Sequence, residues 1–164
     1  ILLAASLAAC GQGQQATQEP AAPAVAAPSA EALATTFETW EKIGNAQVQD
    51  AAAQGPSGET AADVLTLGTG DGVAYTDSSP GSTIRASVTL WSPTDALVSL
   101  QLVNWCRAGS SEVTTVPVAL TREPQEYSAD LRISRPEDCV RFQIIRTDVN
   151  RGDVNAWNPQ FSRQ

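Results

Sequence analysis

The chain has 164 residues and a net charge of −8, a balance that disfavours nucleic acid and anionic membrane surfaces as partners. It contains no histidine, so the commonest general base and metal ligand of proteins is missing. It also lacks a Gly-x-Ser-x-Gly elbow, a phosphate-binding loop and a Cys/His metal cluster. A glycoside-cleaving carboxylate pair cannot be assigned among 18 acidic residues. The composition therefore predicts a protein that is not an enzyme and requires no cofactor.

The first residues of the chain form an apolar run, 1–9, which ends in Leu7-Ala8-Ala9 and is followed by Cys10. This pattern resembles the end of a bacterial lipoprotein signal peptide with its lipobox. The resemblance implies cleavage before Cys10, acylation of that cysteine with chains such as palmitate, and anchoring to a lipid bilayer. The run is much shorter than the ~20 residues of a spanning helix. We expect a bacterial cell envelope protein, on the outer membrane if the source is Gram-negative, since Gly11 is not the Asp of many inner-membrane lipoproteins.

The next segment, 10–36, is rich in Gln, Ala and Pro and is predicted to be a disordered tether behind the lipidated cysteine. Its last part leaves two interpretations open. Leu33, Phe37 and Trp40 fall on one helical stripe, and Ser29 is placed to cap a short helix. In the competing interpretation Phe37 and Trp40 open a β-domain, and the remaining sequence favours this.

The second half of the chain alternates apolar and polar residues with a period of two, which is typical of half-buried strands. Turn signals rich in Gly, Pro, Ser and Asp separate the alternating sets. Short strands without intervening long helices predict an all-β fold, an antiparallel sandwich. The apolar sets are Ile84/Ala86/Val88/Leu90, Val98/Leu100/Leu102, Val116/Val118/Leu120, Tyr127/Ala129/Leu131/Ile133 and Val140/Phe142/Ile144.

Several short motifs then carry a resemblance: Phe37-Glu38 with Trp40, Gly44-Asn45-Ala46, Gly55-Pro56-Ser57-Gly58 and 61–65. Together with the strand order they resemble a galactose-binding-like jelly roll of the carbohydrate-binding-module type, over residues 37–164. The resemblance implies a jelly-roll β-sandwich that binds a glycan without cleaving it. The same fold occurs in virion tail proteins and other non-enzymatic β-domains. A structural or assembly lipoprotein that uses the sandwich for protein contacts is therefore the alternative.

With Cys10 assigned to lipid, Cys106 and Cys139 remain. An even pair in an exported protein indicates a disulfide. The resemblance implies that the strands 98–106 and 139–146 lie side by side and antiparallel, so that the two cysteines meet. Two unpaired buried thiols are the alternative.

The resemblance also implies a concave glycan cleft on the outward face of this strand pair. Alternation places there Gln101, Trp105, Arg141 and Gln143. An aromatic ring receives the apolar face of a sugar, while amides and a guanidinium group bond its hydroxyls. The alternative is a solvated sheet face with Trp105 partly covered by a loop. Trp40 and Trp157 are expected at the edge of the core, and Trp91 in either position.

A structural calcium ion is the last expectation that the resemblance implies. Related domains hold it with the Glu of a Phe-Glu pair and an Asp of the last strand. Glu38 matches the first ligand, whereas Asn158 stands where the Asp is expected. Replacing a charged ligand by an amide weakens a calcium site.

Overall fold

The computed structural model describes residues 30–32, 36–58, 60–78 and 81–163. The predicted signal segment 1–9, Cys10 and most of the predicted tether 10–36 lie outside this part of the chain. The described residues form two packed antiparallel sheets, which confirms the predicted all-β jelly-roll sandwich. Within them no helix is long or apolar enough to cross a membrane.

The described residues form eleven strands and one short 3₁₀ turn at Phe37–Thr39. The strands are β1 Ala30–Ala32, β2 Glu41–Ile43, β3 Gln47–Gln54, β4 Thr60–Leu67, β5 Gly72–Asp77, β6 Thr83–Trp91, β7 Ala96–Asn104, β8 Val113–Leu120, β9 Gln125–Arg132, β10 Val140–Arg146 and β11 Gly152–Arg163. One sheet has the order β3-β4-β11-β6-β9, with β1 pairing to β11, and the other has the order β2-β5-β10-β7-β8. Strands distant in sequence therefore become neighbours.

The core lies between the two sheets and contains the apolar sets that alternation predicts. On β7, for example, Val98, Leu100 and Leu102 are completely buried. A group of aromatic side chains closes the core, with the rings of Phe37, Tyr75 and Phe142 lying 4.5, 5.7 and 5.8 Å from the ring of Trp40. Because inward positions of a strand alternate with outward ones, these core residues also fix which side chains face away from the core.

The start of the domain follows the β interpretation, and the helical one is wrong for residues 36–43. Phe37–Thr39 makes a single 3₁₀ turn, and β2 begins two residues later. The buried carboxylate of Asp63 ends the ambiguity, because it accepts the backbone N–H of Phe37 at 2.6 Å. The strand β1 pairs with Gln160–Ser162 of β11, so one sheet strand lies inside the segment 10–36 that the sequence assigns to the tether.

The predicted disulfide is present between Cys106 and Cys139, whose Cα atoms lie 5.2 Å apart. The strands behind it pair as predicted, with Asn104 of β7 opposite Val140 of β10. The other tryptophans divide as follows. Trp40 is a core residue, whereas Trp91 and Trp157 occupy outward positions on the β6 and β11 strands of the other sheet, Trp91 buried and Trp157 half-buried.

Candidate functional site

The outward face of the five-stranded sheet brings the predicted glycan-binding residues together. At its centre, Gln143 of β10 lies directly opposite Gln101 of β7. The same row continues through Ala74 to Glu41 on one side and to Thr115 on the other. One row of side chains thus crosses all five strands, with amides in the middle, a carboxylate at one end and a hydroxyl at the other.

Two of the three outward residues of β5 are small, and the third, Thr76, is exposed. Gly72 and Ala74 are both buried, although they face away from the core. A side chain at Gly72 would meet the carbonyl oxygen of Ile144, which fits glycine at this position. Glu41 and Gln143 stand on either side of Ala74, two strand spacings or roughly 9–10 Å apart. The ion pair of Glu41 with Arg141 crosses β5 beside Ala74 and joins β2 to β10.

An aromatic platform stands at one end of the face. Trp105 follows the last residue of β7, and 53% of its surface is exposed. The guanidinium carbon of Arg141 lies 4.3 Å from the centre of its ring. One indole face thus rests on a cation, and more than half of the residue remains open to a ligand.

Arg141 is almost completely buried, with 4% of its surface exposed, although it is an outward residue of the sheet. Its Nη1 donates a hydrogen bond of 2.7 Å to Oε2 of Glu41, which forms an ion pair. Its buried Nε has no partner among the described residues. Trp105 and Glu41 therefore hold the guanidinium group from two directions, and its donors are not all used.

The two glutamines of the central row differ in their surroundings. Gln101 is half-buried and its Nε2 lies 3.4 Å from the Ser99 hydroxyl, which is at most a weak hydrogen bond. Gln143 is buried, with 7% of its surface exposed, and its amide makes no hydrogen bond within the described part of the chain. An amide in such a position can accept and donate hydrogen bonds to the hydroxyl groups of a ligand.

A cluster of polar contacts supports the loop that carries Trp105. Nδ2 of Asn104 donates to Glu112 at 2.7 Å and to Asp138 at 2.8 Å, while the backbone N–H of Ser134 donates to Glu112 at 2.9 Å. The Asn104 amide is the largest cause, with Ser134 second, of a fall in the pKa of Glu112 from 4.5 to about 2. Glu112 is therefore charged at neutral pH and joins the loop after β7 to the loop before β10.

The residues predicted to hold calcium do not form a metal site with other acidic residues. Glu38 is exposed on the 3₁₀ turn, and Asn158 lies at a bulge of β11 with a φ of 50°. No group of three or more His, Cys, Asp or Glu suited to a metal occurs among the described residues. The carboxylate of Asp63, next to the 3₁₀ turn, accepts hydrogen bonds from the backbone N–H groups of Phe37 and Ala51. Burial is the main cause that raises the pKa of Asp63. Calcium binding by Glu38 and Asn158 thus stays a prediction.

The sequence reasoning missed Glu41 and Thr115, which complete the row across the sheet. Glu41 is 100 residues away from its partner Arg141 along the chain. Nothing in its local sequence distinguishes it from an ordinary surface carboxylate. Only the pairing of β2 with β5, and of β5 with β10, brings it to the site.

Comparison with known proteins gives a consistent fold. No family model and no curated protein matches the sequence. Solved structures do match. A family 11 carbohydrate-binding module from Clostridium thermocellum, solved with a β-1,3-1,4-mixed-linked tetrasaccharide, has 12% identity and a TM-score of 0.60 over 84% of this chain and 96% of the module. The xylan-binding domain from Paenibacillus barcinonensis Xyn10C has 14% identity and a TM-score of 0.61 over 84% and 97%.

A third structure, a family 61 module solved with β-1,4-galactotriose, has 14% identity and a TM-score of 0.56, covering 79% of this chain and 92% of the module. Other matches are parts of longer chains, such as a C. thermocellum xylanase of which this chain covers 28%. At such identities the similarity shows the fold. The chain shares the jelly-roll sandwich of carbohydrate-binding modules.

Proposed function

We propose that this protein is a non-catalytic carbohydrate-binding protein that holds a glycan on the outward face of its five-stranded sheet. Trp105 stacks against the apolar face of a sugar ring, a use to which an exposed indole is well suited. The amides of Gln101 and Gln143 form hydrogen bonds with the hydroxyl groups of the neighbouring sugar. The ion pair of Arg141 and Glu41 lies beside them and supports the Trp105 ring.

One observation carries this proposal: in the described part of the chain, an amide without a hydrogen-bond partner, that of Gln143, lies on the same sheet face as the exposed ring of Trp105. Gln143 is buried, yet its amide has no hydrogen-bond partner among the described residues. Neither its amide oxygen nor its amide nitrogen is among the buried polar atoms that lack a partner, so the amide reaches the surface, where a ligand or water can bond it. It lies one outward position along β10 from Arg141, the residue that supports Trp105. The fold of the carbohydrate-binding modules agrees with this use but does not by itself assign it.

We further propose that Cys10 is acylated and anchors the protein in the bacterial cell envelope. The Leu7-Ala8-Ala9-Cys10 sequence supports this, as does the Ala- and Pro-rich composition of the segment that follows. The 19 residues between Cys10 and β1 would span roughly 22–26 Å as a flexible linker, enough to place the sandwich clear of the lipid. The outer membrane is the proposed site in a Gram-negative cell.

A glycan array tests the proposed binding. The chain carries Cys10→Ser, so that it stays in solution, and is applied as wild type, Trp105→Ala and Trp157→Ala. Trp157 is the matched control, because it is a half-buried tryptophan on the other sheet. We expect glycan signals that Trp105→Ala abolishes and Trp157→Ala retains. Signals that Trp105→Ala leaves unchanged would contradict the proposed site.

A second candidate function is protein contact, and apolar side chains on the same sheet support it. Leu97 and Val113 are 48% and 50% exposed. Both occupy outward positions, Leu97 opposite Ala119 at one end of the β7–β8 pair and Val113 opposite Val103 at the other. Pull-down with the Cys10→Ser chain, compared with Leu97→Ser, distinguishes this role. A specific protein partner lost in Leu97→Ser, together with an array free of signals, would favour it over glycan binding.

A further inference from the structure

The platform residue Trp105 lies outside any strand, at the place where two loops meet. β7 ends at Asn104, and the loop 105–112 leads to β8. The loop 133–139 approaches from the other side and leads into β10. The backbone N–H of Trp105 donates to the carbonyl of Cys139 at 3.0 Å, which extends the strand pairing by one position. Beyond that bond, the next residue of the chain is the disulfide cysteine Cys106.

The disulfide flanks both partners of the platform. Cys106 directly follows Trp105, and Cys139 lies two residues before Arg141. Trp105 and Arg141 stack at 4.3 Å, so the disulfide joins the two chain segments that carry the stacked side chains. The hydrogen bonds of Asn104 with Glu112 and Asp138, and of Arg107 with Ser134, join the loops at other points.

We propose that the Cys106–Cys139 disulfide is a positioning element for the glycan platform, and that binding on this face depends on its oxidised state. This inference rests on the proposed function and adds its regulation. With the bond intact, Trp105 is held flat on Arg141 before the ligand arrives. Without it, the 3.0 Å backbone hydrogen bond from Trp105 to Cys139 and the stacking on Arg141 remain, but the indole is less restricted, and the ligand must bear the entropy cost of ordering that side chain.

We expect reduction to act locally, because the pairing of β7 with β10 and the Asn104–Glu112 hydrogen bond hold this region together in addition to the disulfide. Cys106 is also exposed, so a dithiol reaches it, whereas Cys139 is buried. The dithiol gives two electrons and two protons to the Cys106–Cys139 disulfide. The dithiol is thereby oxidised to a cyclic disulfide, and the protein is left with two thiols.

The experiment uses NMR and calorimetric titration on the Cys10→Ser chain. Four samples are compared. The first is the oxidised protein, the second is the protein reduced with dithiothreitol, and the third is oxidised Trp105→Ala. The fourth is a Cys106→Ser/Cys139→Ser variant, which lacks the disulfide without any reductant. The ring current of Trp105 shifts the side-chain protons of Arg141 in the oxidised protein, and Trp105→Ala gives their unshifted positions. Titrations use xylohexaose, β-1,4-galactotriose and the β-1,3-1,4-mixed-linked tetrasaccharide. Samples that unfold are measured again in sucrose, which favours the folded state.

We expect the reduced protein to stay folded, to show a smaller ring-current shift of Arg141 and to bind sugar about tenfold more weakly. A shift of unchanged size in the folded reduced protein overturns the proposal, whatever the sugars do. So does a smaller shift with unchanged affinity, and so does global unfolding even in sucrose. If the oxidised protein binds none of the three sugars, the proposed function fails for them, while the Arg141 shift still decides the positioning.

Discussion

The guanidinium carbon of Arg141 lies 4.3 Å from the centre of the Trp105 ring, on the outward face of the sheet. The two residues come from different strand ends and from opposite sides of a disulfide. Arg141 is buried and Trp105 is exposed. The cation thus supports the ring from beneath and leaves its other face to a ligand. A stacked, partly desolvated pair of this kind contributes on the order of 0.5–2 kcal/mol.

Replacing Trp105 and replacing Trp40 should reduce stability by different amounts. Trp105→Ala removes an exposed side chain and its stacking, so we expect a loss of no more than about 1–2 kcal/mol. Trp40 is buried among Phe37, Tyr75 and Phe142, and Trp40→Ala should cost roughly 3–5 kcal/mol. Denaturant unfolding of both variants measures the difference. Equal losses would place Trp105 in the core and remove it from the surface site.

The ion pair of Arg141 predicts a cost for changing its partner. Glu41→Ala leaves a buried cation without its carboxylate. The Glu41 side chain is 61% exposed, so water compensates in part and we expect a loss of only about 1 kcal/mol. Glu126→Ala, an exposed carboxylate on β9, is the control and should change stability by less than about 0.5 kcal/mol. Indistinguishable melting curves for the two variants would show that Glu41 does not support Arg141.

The lowered pKa of Glu112 predicts a fall in stability in acid. Its pKa is 4.5 without partners and about 2 in the fold, because Asn104 and Ser134 bond the charged form. A carboxyl with a depressed folded pKa stabilises the protein above pH 4.5 and loses that contribution as the pH falls through 2. Melting temperatures of wild type and Glu112→Gln should therefore converge between pH 4.5 and 2. A constant difference over this range would contradict the assigned hydrogen bonds.

Other carboxylates act in the same pH range, so the comparison must use the difference between the two proteins. Hydrogen bonding to Arg146 is the main cause that lowers the pKa of Asp148, which adds to the acid sensitivity of both. Burial raises the pKa of Asp63, and this contribution has the opposite sign. Both are common to wild type and Glu112→Gln, so they cancel in the difference.

Acylation of Cys10 predicts a membrane-bound protein. In the native host, wild type should be found in the membrane fraction with a diacylated or triacylated N-terminal peptide in mass spectra. Cys10→Ser should be released to the soluble fraction, since the thiol that receives the lipid is absent. Cys106→Ser is the control, because it changes a cysteine that has no role in anchoring. A Cys10→Ser protein that remains in the membrane would sink the lipoprotein proposal.

The sequence predicted those strands whose apolar residues alternate, because one face of each is buried in the core. It did not separately predict β3, since Gln47–Gln54 has small or polar residues on both faces and lies mostly exposed. The spacing of Leu33, Phe37 and Trp40 also fits a helix, although the remaining sequence favoured the start of a β-domain. The backbone bond to Asp63 and the tertiary packing of Trp40 selected the β arrangement instead.

For the candidate site, alternation along β7 and β10, together with the strand pairing that the jelly-roll resemblance implies, placed Gln101, Trp105, Arg141 and Gln143 on one face. It was not sufficient to show how they differ. Arg141 is buried because Trp105 covers it and Glu41 pairs with it. Both contacts depend on which strands are neighbours in the sheet. Glu41 and Arg141 are 100 residues apart, and no local sequence pattern predicts a contact over that separation.

A titration followed by NMR tests most directly whether the outward face of the five-stranded sheet binds sugar. Oxidised Cys10→Ser protein is titrated with the oligosaccharide class that gives the strongest array signal. We expect saturable shifts in the side-chain amides of Gln101 and Gln143 and in the indole N–H of Trp105. The chemical shifts of the indole N–H groups of Trp91 and Trp157, on the other sheet, should not change. Shifts confined to Trp91 and Trp157, or to the loop around Asp95, would contradict glycan binding on this face.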